Sequence, residues 1–170
     1  MQPMETERLV ITTWSDADID DALKLWGDPK VMQHIDVRGA LNRRQVEQKL
    51  QQEIERQHQH GVQYWKVLLK ATRETIGCCG LRPYDLDRHI YELGVHIMSI
   101  HWGKGYATEA ARGVIRFAFE VLRIPKLFAG HNPNNTASRS ILLKLGFKYI
   151  RDQFYAPTGL HHPSYELERH

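Results

Sequence analysis

The chain has 170 residues, 42% hydrophobic and 25% charged, with a formal net charge of +3, the make-up of one ordinary folded domain. No run approaches the ~18 apolar residues of a membrane span, and Met1-Gln-Pro-Met-Glu5 lacks the charged-then-apolar layout of a secretory leader, so the expected compartment is the cytoplasm. The mild charge, with no run of five like residues, argues against a nucleic-acid groove.

The two cysteines, Cys78 and Cys79, are neighbours. In a strand they point to opposite faces and cannot easily bridge, so free thiols are expected. Ten histidines raise the question of metal, but His58/His60 and His161/His162 lack the spacing that sets ligands on one helical face, and no HExxH occurs. No metal site is expected.

In chain order, Leu9 to Trp14 reads as a first strand. Ser15-Asp-Ala-Asp18 then caps a helix on which Ile19, Ala22, Leu23 and Trp26 recur at helical spacing, ended by Asp28-Pro29. A second helix is predicted from about Asn42 to about Gln57, with Val46, Leu50 and Ile54 repeating every four residues and Gly61 closing it. The period then shortens. Tyr64 to Leu69 and Glu74 to Leu81 read as a hairpin about Thr72-Arg73, and Ile90 to Met98 as a longer strand. An amphipathic helix follows over Thr108 to Leu122, then a strand at Lys126 to Gly130 and a helix over Ala137 to Leu145, stopped by Gly146. Phe147 to Tyr155 and Ser164 to Arg169 complete an antiparallel pair. The fold class is α/β (α+β), with one domain over residues 5–168.

The informative segment is Ser99-Ile-His-Trp102-Gly103-Lys104-Gly105-Tyr106-Ala107-Thr108-Glu109. A strand ends, two glycines follow and a helix begins. The free N–H groups of a helix start, with the helix dipole behind them, make an anion site, and the glycines let the main chain approach a phosphate. Walker A spacing is absent. A dinucleotide fingerprint fails at Thr108 and again ~20 residues on, where Arg123 to Lys126 replace an acid. The pyrophosphate of coenzyme A is the remaining candidate ligand, the alternative being a tight strand-to-helix turn that holds none.

Gly103-Lys-Gly-Tyr-Ala-Thr-Glu-Ala110 resembles the coenzyme A loop of the GNAT family of N-acetyltransferases, in the form typical of its ribosomal-protein alanine acetyltransferase branch. Trp102 stands where the family usually has Gln or Arg, which removes a side chain but spares the amides. Asn132-Pro-Asn-Asn135-Thr-Ala-Ser138 through Lys144-Leu-Gly146-Phe147 is similar to the family's second motif, and Thr6-Glu-Arg-Leu9 is also typical of the branch. The resemblance implies a mixed central sheet splayed between its fourth and fifth strands, flanked by about four helices. It implies acetyl-CoA as co-substrate, held at Trp102 to Thr108, with pantetheine pairing on the main chain of Ile97, Met98 and Ser99 and meeting Asn135 and Ser138.

Direct attack of an amine on a thioester needs a base and a proton source for the departing thiolate. Glu92 shares a strand face with Gly94, His96 and Met98 and is the first candidate for base, His96 the alternative. The family's usual acid, a Tyr, is replaced by Leu142, and Ser138 is the substitute. Glu109, in the first turn of the loop helix, reads as structural. Trp26, His34, Asp36 and Tyr84 are expected to touch the acceptor, a protein N-terminus or a small-molecule amine. A homodimer stays open. The alternative is a coenzyme A-binding sensor that has lost catalysis, suggested by Trp102 and the missing Tyr. A nucleotide-binding interaction protein is a second.

Overall fold

The computed structural model describes residues 1–170. Eight strands form one sheet: β1 (Met4–Glu5), β2 (Leu9–Thr12), β3 (Tyr64–Leu69), β4 (Thr75–Asp85), β5 (Ile90–Ile97), β6 (Lys126–Gly130), β7 (Lys148–Tyr155) and β8 (Leu160–Glu168). Their order is β1-β2-β3-β4-β5-β6-β8-β7, and only β5 and β6 run parallel. Five α-helices cover the sheet: α1 (Ile19–Trp26), α2 (Pro29–Met32), α3 (Arg43–His60), α4 (Tyr106–Glu120) and α5 (Thr136–Lys144). The mixed sheet expected from the sequence is present. β1 and the one-turn α2 are additions. Asp28 creates α2 by accepting the Lys30 N–H at 2.9 Å, with Pro29 supplying a preset φ in the first turn. β4 runs on to Asp85 because β5 pairs with it along its whole length. No helix is long and apolar enough to cross a membrane.

The sheet separates two apolar layers. On one face α4 buries Ala110, Ala111, Val114 and Ala118 against Ile11, Trp65, Leu81, Leu93 and Leu127, and α5 adds Leu142 to the same layer. Small residues let α4 lie close; a Cβ at Gly113 would come within 2.9 Å of the Thr6 methyl. On the other face α1, α2 and α3 bury Leu25, Trp26, Met32, Val46 and Leu50 against Trp14, Tyr64, Cys78 and Met98. Cys78 and Cys79 are both buried and free, one in each layer, and burial pushes both thiols up.

Helix α3 begins with a capping box between Asn42 and Gln45 and ends at Gly61 in the left-handed region (φ 70°). Its buried Glu53 is an anchor: one carboxylate oxygen accepts the Tyr64 N–H at 2.7 Å and the other an Arg56 guanidinium N–H at 2.6 Å. A buried carboxylate tolerates that place only when its oxygens are occupied in this way.

The feature that positions the site is where the sheet stops being a sheet. β5 and β6 pair only over Ile90–Glu92 and Lys126–Phe128, although β5 continues to Ile97 and β6 to Gly130. Beyond Glu92 the two strands diverge.

Candidate active site

A cavity of about 950 Å³ passes through that divergence, from the start of α4 on one side to α2 and α3 on the other. At its α4 end, Gly103 (φ 75°) and Gly105 (φ 80°) both adopt the left-handed region. A Cβ at Gly103 would meet nothing, so the main chain there is open to an approaching group. The first bond of α4 is Glu109 N–H to the Gly105 carbonyl, and the N–H groups of Tyr106, Ala107 and Thr108 have no acceptor within the chain. Three free amides at the positive end of a 15-residue helix form an anion cradle.

The loop is braced from below. Arg8 donates to the Lys104 carbonyl at 2.9 Å and to Glu109 at 2.7 Å, with its guanidinium 4.5 Å from the centre of the Tyr106 ring. Glu109 also accepts the Arg8 N–H at 2.8 Å and the Thr6 hydroxyl at 2.5 Å. Burial opposes its ionisation, but the bonds from Thr6 and Arg8 outweigh burial and hold the carboxyl below its ordinary range. Glu109 therefore ties Thr6-Glu-Arg-Leu9 to the loop, and the opening motif has a structural cause.

In the gap, the Met98 N–H donates to the Ile76 carbonyl on the β4 side. By alternation, the N–H and C=O groups of Val95 and Ile97 turn to the unpaired side. The Trp102 indole N–H donates to the Ile97 carbonyl at 2.7 Å, so the residue that replaces the usual Gln or Arg supplies a loop-to-strand tie of its own. The expected pairing of pantetheine is corrected at two positions. The Met98 N–H is spent on Ile76, and Ser99 donates its N–H (3.1 Å) and hydroxyl (2.6 Å) to Asp28. Ile97 keeps its N–H for the gap.

At the far end, Glu92 lines the cavity and forms a bidentate pair with Arg82, its register partner on β4, at 2.9 and 3.0 Å. Tyr64 lies across Gly94, where a Cβ would fall 2.3 Å from the phenol ring. His96 accepts the Trp26 indole N–H on Nδ1 at 3.3 Å, which puts its own proton on Nε2. Burial, with Lys49 and Arg82 nearby, pushes its pKa down to about 3. A neutral ring whose cavity nitrogen already carries hydrogen is a donor and not a base, so His96 drops out of that role.

Other expectations divide. Trp102, Gly103, Gly105, Tyr106, Ala107, Thr108, Asn135 and Ser138 all line the cavity, as do His34 and Tyr84. The Lys104 side chain is exposed and lies outside it. Asn135 caps α5 by accepting the Ser138 N–H at 3.1 Å, leaving its amide NH₂ for a ligand, and the Ser138 hydroxyl has no partner in the chain. Two acceptor contacts are corrected. Trp26 is fully buried beneath His96, and Asp36 turns away to a bidentate pair with Arg38. Lys49, Tyr64, Arg82, Phe128, Tyr155 and His162 line the cavity and were missed. Arg82 was findable by setting the two strands in register opposite Glu92. Lys49 was findable because it shares the inward row of Val46, Leu50 and Glu53. No group of three or more His, Cys, Asp or Glu side chains is placed to hold a metal ion.

A family model described as an acetyltransferase (GNAT) domain matches residues 8–148. An uncharacterized N-acetyltransferase of Bacillus licheniformis, p20, is 28% identical over 148 residues, 87% of this chain and 83% of its own. YkkB of Bacillus subtilis is 31% identical over 75% of this chain and 73% of its own. Among solved structures, a GNAT acetyltransferase from Bacillus anthracis superposes with a TM-score of 0.83 at 20% identity, over 98% of both chains. RimL, a ribosomal L7/L12 α-N-protein acetyltransferase in complex with coenzyme A, reaches 0.84 at 13% identity, over 99% of this chain and 98% of that one. The chain belongs to the GNAT acetyltransferase family, whose members take the acetyl group from acetyl-CoA. The free amides at Tyr106 to Thr108 and the slot beside Ile97 fit a pyrophosphate and a pantetheine arm respectively.

Proposed function

We propose that the protein transfers acetyl from acetyl-CoA to a primary amine by direct attack, with both substrates bound together. One observation carries this reading: a single cavity joins the anion cradle at Gly103–Thr108, through the split between β5 and β6, to the carboxylate of Glu92. Acetyl-CoA would bring an activated thioester to the split. The Ile97 N–H, on the unpaired side of β5, is placed to receive the charge that develops on the carbonyl oxygen. Glu92, held still by Arg82, has lone pairs left to draw a proton from the amine through a water molecule. Ser138, with an uncommitted hydroxyl, is the proton source for the departing sulfur. Leu142, where the family's usual Tyr acid would stand, is buried in the core beside Phe147 and contributes no proton.

Trp102 and Leu142 had suggested a sensor without catalysis. The Trp102 indole is a hydrogen-bond donor within the loop, which weakens that reading. The test is turnover of acetyl-CoA against peptide N-termini, amino acids, polyamines and aminoglycosides. Acetylated product from at least one class is expected; coenzyme A binding with no product from any class would favour the sensor.

A further inference from the structure

The acceptor end of the cavity carries an unbalanced charge. Three cations, Lys30, Lys49 and Arg82, line it against one carboxylate, Glu92; Lys30 is exposed to solvent and Arg82 is consumed by Glu92. Lys49 has no such partner. Its ammonium makes no ion pair or hydrogen bond in the chain and sits over the face of the Trp26 ring, 5.1 Å from the centroid. The carboxylates whose charges reach Lys49 are committed elsewhere: Glu53 to Tyr64 and Arg56, Asp36 to Arg38. Burial pushes the Lys49 pKa down, against the smaller opposing pull of the Glu53 charge. A half-buried cation with no ion pair costs stability that a ligand anion would return.

We propose that Lys49 anchors a carboxylate on the acceptor, so that the substrate is a small aminocarboxylate, a primary amine with a carboxylate close to it. The inference rests on the acetyl-transfer reading and names its substrate class. Smallness follows from how that end is closed. The loop after α2 and the turn between β7 and β8 flank the cavity, and the Val37 N–H donates to the Pro157 carbonyl at 2.9 Å, bridging them. The bridge holds the two flanking segments together, where an extended peptide would need them apart. Tyr84, stacked on Phe128 at 3.9 Å, gives the recess an apolar wall for a hydrocarbon side chain. Polycationic amines meet repulsion from Lys49, which has no paired carboxylate. In the transfer, the amine nitrogen bonds to the acetyl carbon as the carbon–sulfur bond breaks. The nitrogen loses a proton, the sulfur gains one, and the carboxylate at Lys49 is unchanged.

The experiment compares L-phenylalanine, L-leucine and L-methionine with their amides and their decarboxylated amines as acceptors for the full-length protein. A kcat/KM for the acids at least about 10-fold above both analogues is expected, as for a charge pair formed in a desolvated site. Lys49→Met should erase the difference through KM, and Lys49→Arg should restore part of it. Equal rates for acids and analogues, a preference that survives Lys49→Met, or faster turnover of peptides with acidic N-termini would overturn the anchor. Turnover of none of these compounds alongside product from another amine class would also overturn the anchor, whereas no product from any class would strike the acetyl-transfer reading instead. The same compounds are then titrated calorimetrically into the coenzyme A-loaded protein, where failure of the acids to bind more tightly than the amides overturns the anchor independently.

Discussion

The donor end of the cavity is made of main chain: three free amides, two left-handed glycines and the unpaired edge of β5. The acceptor end is made of side chains from four separate elements: Lys49 on α3, Tyr64 on β3, Arg82 on β4 and Glu92 on β5. A main-chain site recognises what every reaction of the family shares, the pyrophosphate and pantetheine of the coenzyme. A side-chain site can change its charge and shape without disturbing the fold. On the proposed function, the difference assigns affinity for the coenzyme to one end and choice of acceptor and rate to the other.

Substitutions at the two ends should therefore fail in different ways. The largest effect belongs to Gly105→Val. At φ 80° a β-branched residue is strained and would crowd the Arg8 guanidinium. Acetyl-CoA affinity by calorimetry should fall about 100-fold or more, with the circular dichroism spectrum retained; unchanged affinity would place the anion site elsewhere. Next, Glu92→Gln should lower kcat by about 100-fold and leave acetyl-CoA affinity nearly intact. A variant that keeps the wild-type rate would remove Glu92 as base.

Ser138→Ala should be milder, about 10-fold in kcat, because water can protonate a thiolate that already leaves well. A loss as large as that of Glu92→Gln would make Ser138 more than a proton source. The smallest effect is expected at the brace. Glu109→Gln should lower the melting temperature by about 5 °C at neutral pH, since it weakens charge-assisted bonds to Arg8 and Thr6. The Glu109 carboxyl is depressed in the folded protein, so its contribution is full above the unfolded value near 4.5 and is lost as pH falls through the folded value. Wild type and variant should converge in acid. A constant difference across the range would show that packing, and not ionisation, sets the effect.

The order of strands and helices was legible because it depends on local chemistry. Hydrophobic period, the Asn42 cap, the Gly61 and Gly146 stops and the glycine loop act over a few residues of chain. The cradle was legible for the same reason: two glycines and a helix start specify where free amides point. Trp26 shows the limit. Its helical spacing with Ile19, Ala22 and Leu23 predicts the helix that forms, but not the acceptor contact expected of it: in the fold Trp26 lies fully buried beneath His96.

What only the tertiary structure decided are the contacts between residues far apart in the chain. Arg82 meets Glu92 through strand register, and a shift of one residue would send their side chains to opposite faces. Asp28 closes on Ser99 across 71 positions and thereby removes an amide that the sequence had left open to the coenzyme. Lys49 stands without a partner because Glu53, one turn onward, is drawn to the main chain of Tyr64. Sequence period sets which way a side chain faces, but a partner is fixed only when two elements dock. The glycine loop and its free amides could therefore be read along the chain, and the side-chain end of the cavity had to be seen folded.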